Sequence, residues 1–221
     1  MALVQCESGD PDCLWKIVQE CVKAPPGGCA YVDKSQKFAV LKDKKGSAHY
    51  LTLPTDKVTG IEDPAVTQPG FPNYWYTAWD EAGRYLKKPR EQMGLAINSV
   101  KGRDQRQMHL HMACVRSDVA AALEKQRSQV KKSWAPKPFL ALRGHSYNGR
   151  WLDKDALKSN NPFQLLLELE GAAHHMDLQS LAVIGSKDGF YVLDDYTDGT
   201  HPGHAEELLD EDCTAGTHGH E

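Results

Sequence analysis

A chain of 221 residues, 40% hydrophobic and 25% charged, is long enough to bury its own core and too ordinary in composition for a disordered or fibrous protein. Its net charge of −4 gives no support to a general nucleic-acid role, which a basic excess would accompany. No apolar run approaches the roughly 18–20 residues that span a bilayer, and no signal peptide is visible. Met1-Ala2 followed by a polar stretch reads as an engineered start, so an N-terminal leader or anchor is expected in the natural protein.

In chain order, Asp10-Pro11 reads as a cap followed by a first-turn proline. Leu14, Ile17, Val18 and Cys21 then repeat at helical spacing, predicting a helix over 11–22 that Pro25 to Gly28 ends. Residues 36–42 and 47–53 flank Asp43-Lys44-Lys45-Gly46 as a β-hairpin, and Pro54 stops its second strand. Trp75, Ala78, Trp79, Ala82 and Leu86 form one stripe of an amphipathic helix over 73–87, expected to pack on a sheet. Residues 93–100 and 105–115 read as paired strands around a turn at 101–104. Ser117 opens a helix to about Lys132 with Val119, Leu123 and Val130 inward. The stretch after Pro136 and Pro138 reads as irregular through His145, Asn161-Pro162 starts a short helix, and a second hairpin surrounds Lys187-Asp188-Gly189. The last dozen residues are polar and expected to be loose. Hairpins separated by helices predict an α+β fold built on an antiparallel sheet with packed helices.

The six cysteines admit buried thiols, a zinc site or a disulfide set suited to an oxidising compartment. Zinc is disfavoured because Cys6, Cys13, Cys21 and Cys29 contain no CxxC pair. Cys13 and Cys21 would lie about 12 Å apart along one helix, too far to bond, whereas Cys21 and Cys29 can meet across the Pro25–Gly28 loop.

The chemistry concentrates in residues 107–115. Strand alternation puts Met108, Leu110, Met112 and Cys114 on one wholly apolar face and Gln107, His109, His111 and Ala113 on the other. A metal-dependent hydrolase would use His109 and His111 as ligands. Cys114 would complete an HxHxxC set, but alternation points its sulfur away. A neutral imidazole is also a good nucleophile toward phosphorus at neutral pH. Asn98, Ser99, Lys101, Arg103, Gln105 and Gln107 lie close in sequence as donors for phosphoryl oxygens. A nucleotide- or lipid-binding module without catalysis is the third possibility.

Asn98-Ser99 followed by Gln107-Met108-His109-Leu110-His111 resembles the histidine-triad (HIT) superfamily. Val40-Leu41-Lys42-Asp43, Leu53-Pro54-Thr55, Gly60-Ile61-Glu62, Leu95 to Ser99, His109-Leu110-His111 with Cys114, and Leu142-Arg143-Gly144-His145 together resemble its bacterial CDP-diacylglycerol pyrophosphatase branch, from about Trp15 to Cys213. The resemblance implies a single HIT-like domain with a core over about 30–135 and a C-terminal extension over about 136–213 that carries a β-hairpin. It implies cleavage of CDP-diacylglycerol to CMP and phosphatidate through a nucleotidyl-histidine, without metal or other cofactor. It also implies an N-terminal anchor at the periplasmic face of the bacterial inner membrane, and relatives that are often dimers. Carried over by position, His111 is the nucleophile and His109 its support; a slip of one strand repeat exchanges them. Asn98, Ser99, Gln105 and Gln107 would orient phosphates, with Arg103 and Arg143 as charge clamps. Ala113 departs from the triad pattern, so its phosphate contact is expected from Gln107, Arg143 or His145.

Overall fold

The computed structural model describes residues 7–135, 137–138, 140–197 and 200–214. The Met1-Ala2 start, Cys6, Pro136 and the polar tail beyond Thr214 lie outside these residues. The strands are β1 (Tyr31–Asp33), β2 (Phe38–Lys42), β3 (Tyr50–Pro54), β4 (Met93–Ile97), β5 (Leu110–Val115), β6 (Leu140–Leu142), β7 (His145–Asp153), β8 (Leu181–Ser186), β9 (Gly189–Asp194) and β10 (Leu209–Asp210). They form one antiparallel sheet in the order β1-β2-β3-β5-β4-β8-β9-β7-β6, and β10 joins β5 on the edge it shares with β3. The α+β class expected from the sequence is therefore the class observed.

The helices are α1 (Cys13–Lys23), α2 (Tyr74–Leu86), α3 (Ser117–Lys125) and α4 (Pro162–Leu166). Helix α2 opens where the Asn73 side chain accepts from the Tyr76 amide at 3.2 Å, and it buries Trp75, Ala78, Ala82 and Leu86. Its face meets Leu95, Ile97, Leu110, Met112, Val183 and Val192 from the sheet, with Phe163 of α4 in the same core. On the opposite sheet face, Val18 of α1 packs on Leu51 and Leu53. Val119 and Leu123 of α3 pack with Ala113, Val115, Ala205 and Leu208. Between these two patches the second face is left to polar side chains, and His109 and His111 fall there.

Several boundaries differ from expectation. Helix α1 begins at Cys13, because Asp10 accepts from the Asp12 amide at 3.0 Å in a turn of its own. Strand β5 begins only at Leu110, so residues 98–109 form a long connection instead of a tight turn. Helix α3 stops at Lys125, and a separate short turn over Arg127–Gln129 leads to the buried Val130. The stretch read as irregular contains β6 and β7, joined at Arg143-Gly144, where both residues take positive φ. Their alternation was obscured because β7 is buried on both faces from Tyr147 to Leu152, including Asn148 and Arg150.

Disulfides join Cys21 to Cys29, as the loop predicts, and Cys114 to Cys213. The second pair lies on β5 and just beyond β10, 99 residues apart in sequence. No described cysteine is free.

Candidate active site

Strand β5 has β3 on one side and β4 on the other, so that Leu51 and Ala96 flank His111. The expected alternation holds: Met108, Leu110, Met112 and Cys114 sit in the α2 core, and the two histidines emerge on the other face. Their rings lie edge to face, 4.9 Å apart, and both are buried.

The two rings have different hydrogen-bonding environments. His109 Nδ1 lies 2.7 Å from the Gln107 carbonyl oxygen. A carbonyl only accepts, so Nδ1 carries the proton and Nε2 keeps its lone pair. In His111, Nδ1 is hydrogen-bonded and Nε2 makes an ion-pair contact. Nδ1 is 2.9 Å from His49 Nε2, and Nε2 is 2.8 Å from Glu206 Oε2. Asn98 Nδ2 donates to the same Glu206 oxygen at 2.9 Å, and the Glu206 amide donates back to Asn98 Oδ1 at 3.2 Å.

Burial and the neighbouring His111 charge push His109 down to about 3, so it is neutral at physiological pH. The same two causes push His49 down to about 4. Burial opposes ionisation of Glu206, but the His111 contact and the Asn98 amide outweigh it and hold the carboxyl well below the usual carboxylate range.

The remaining residues expected at the site are placed as follows. Ser99 Oγ donates to the Gly203 carbonyl at 3.1 Å and accepts from its amide at 3.0 Å, tying down the segment that delivers Glu206. Gly102 permits this approach, since a Cβ there would run into Gly203 and His204. Arg103 forms a bidentate pair with Glu62, with Nη1 to Oε2 at 2.7 Å. Gln105 Oε1 accepts from the Leu14 amide at 2.9 Å, satisfying an open donor in the first turn of α1. Gln107 Nε2 donates to the Pro54 and Asp56 carbonyls, both at 2.9 Å, so its carbonyl, not its amide, meets the site. Arg143, on the β6–β7 turn, is exposed and pairs with Asp118 at 3.2 Å. His145 Nδ1 meets Asp195 at 2.9 Å and approaches Glu207, the chain neighbour of Glu206, at 4.0 Å. Lys101 lies in the short turn Val100–Gly102.

Two contributors escaped the sequence reading. One is His49, just ahead of β3 on the face of Leu51. Leu51 is the register partner of His111, and His49, two residues earlier, reaches the same imidazole. Strand alternation through His49, Leu51 and Leu53 was a usable signal. The other is Glu206, 95 positions after His111 in a polar stretch, for which no local signal exists. Among the described residues, no group of three or more His, Cys, Asp or Glu side chains is placed to hold a metal ion. Cys114 is committed to its disulfide.

A buried neutral imidazole thus lies beside an ion-paired one on an antiparallel sheet. Residues 9–217 match the family described as CDP-diacylglycerol pyrophosphatase; the chain is therefore a hydrolase, and it belongs to that family. CDP-diacylglycerol is accordingly the substrate the family implies.

Proposed function

We propose that the protein hydrolyses CDP-diacylglycerol to CMP and phosphatidate by two displacements at the cytidylyl phosphorus, with His109 as nucleophile. The observation carrying this reading is the Nδ1–H donated to the Gln107 carbonyl, which leaves His109 Nε2 as an available lone pair. His111, with Nδ1 bonded to His49 and Nε2 paired with Glu206, supplies charge beside it instead. Position alone favours His111 as nucleophile; the ring nitrogens favour the one-repeat slip.

His109 Nε2 bonds to phosphorus, and the anhydride bond to phosphatidate breaks with its electron pair staying on the phosphatidate oxygen. Water then attacks the same phosphorus. The P–N bond returns its pair to Nε2, CMP leaves, and the water proton passes to solvent. The cationic neighbourhood of His111 and Arg103 opposes the negative charge gathering on the phosphoryl oxygens. On this reading the enzyme works at a membrane surface, the periplasmic face of the inner membrane, held there by an N-terminal anchor. The substrate's acyl chains stay in the bilayer. Among the described residues no helix is long and apolar enough to cross a membrane.

The test is rapid quench of the protein with CDP-diacylglycerol labelled in the cytidylyl phosphate, followed by peptide mapping. Label on His109 and none in His109→Ala is the expected result. Label on His111 would reverse the two roles, and steady CMP release by His109→Ala would end the mechanism.

A further inference from the structure

His49 is given no step in the mechanism above, yet it is the least exposed of the three histidines, at 1%. Its ring plane lies 14° from that of His111, with centroids 5.1 Å apart. Joined to an N···N distance of 2.9 Å, that spacing describes two rings meeting edge to edge through one N–H···N bond, not a face-to-face stack.

Counting protons along this line is informative. An ionised Glu206 oxygen 2.8 Å away favours a proton on His111 Nε2 over a lone pair facing it. The N···N contact requires a second proton. At the outer end, His49 Nδ1 faces Asp43 Oδ2 at 3.8 Å and Glu211 Oε1 at 3.6 Å, and two carboxylates favour a third. Two neutral imidazoles hold two protons, so they would turn a lone pair toward the carboxylates. Three protons on four nitrogens is one imidazolium shared by two rings. The surrounding charges agree. Glu206, Asp43 and Glu211 outweigh the two nearby lysines, Lys42 and Lys45, and His109 is neutral. A second positive charge is excluded because each ring's charge opposes the other's in a buried site.

We propose that His49 is a positioning residue that shares one proton with His111 and so fixes a single imidazolium beside the nucleophile, with the charges of Asp43 and Glu211 favouring it from the outer end. The inference rests on His109 as nucleophile only for its catalytic consequence; the proton count stands on the buried geometry. Loss of the shared proton at high pH removes the cation next to the reacting phosphoryl group, so it sets the alkaline limb of kcat/KM.

The experiment combines pH–rate profiles with nitrogen-15 NMR of the imidazoles in the whole protein. In His49→Leu, His111 loses its acceptor, and the alkaline limb is expected about one pH unit lower, tenfold in proton affinity. His49→Gln keeps an acceptor and is expected to return the limb to within half a unit of wild type. A merely structural role would lower kcat in both variants with the limb unmoved, and that result overturns the proposal. In the wild type at pH 7, NMR is expected to find three protonated nitrogens across His49 and His111; two would overturn it even if His49→Leu does not fold. Mapping of label to His109 is scored separately, so a failure there leaves the proton count standing.

Discussion

The two faces of β5 are built from the same six residues and obey different rules. On one, Leu110, Met112 and Cys114 meet α2 with no polar atom among them except sulfur. On the other, His111 and the preceding His109 take their meaning from groups elsewhere in the chain: His49 at the entry to β3, and Glu206 with Asn98 behind it. Packing tolerates any partner of suitable volume, whereas an imidazole's chemistry depends on which atom faces each nitrogen. Damage to the first face should therefore appear as lost stability, and damage to the second as lost turnover.

The largest expected effect is on the chemical face. His109→Ala should reduce CMP release at least about 10⁴-fold, as removal of a nucleophile does, with a melting temperature near wild type. His111→Ala should be severe but smaller; equal turnover in the two would break the distinction between them. Cys114→Ser probes the place where the faces communicate. Opening a 99-residue loop should cost about 4–5 kcal/mol in a denaturant titration, and turnover should fall as well, because Glu206 rides on the released segment. Met112→Ala should cost about 2–5 kcal/mol by leaving a cavity under α2, with activity per folded molecule preserved. A drop in kcat there would show that the packing face positions the histidines.

Acid should act on the chemical face alone. The folded state holds His109 at about 3, below its ordinary value of 6.5, so the unfolded chain binds more protons between those values. Stability from this source is complete above about pH 6.5 and declines as pH falls toward 3, read as a falling melting temperature. His109→Gln should make the decline in that window shallower, with His49 supplying part of what remains; an unchanged slope would assign it elsewhere. The smallest effect is expected from Arg143→Ala, since an exposed pair with Asp118 contributes little, and activity should stay within about twofold.

This contrast also explains what was legible in advance. Met108, Leu110 and Met112 announced their face by alternation, and Trp75, Ala78 and Ala82 announced the helix that covers it, because hydrophobic period is a local property. The Cys21–Cys29 bond was legible for the same reason, closing a short loop across Pro25-Pro26. His49, Glu206 and the Cys114–Cys213 bond were not, since each joins residues brought together only by the finished sheet. Polar residues near the histidines looked equally suited to hold phosphate. Hydrogen bonds separate Asn98, which reaches Glu206, from Gln105 and Gln107, whose amides secure α1 and the 54–58 loop.

Glu206 follows His49, Asn98, His109 and His111 in chain order. It is held by Ser99 and Gly203 on one side and by β10 and Cys213 on the other. A chain growing from its N-terminus therefore carries both histidines well before their acidic counterpart exists. The His111–Glu206 pair can form only once the segment that pairs with β5 has been made and laid along it.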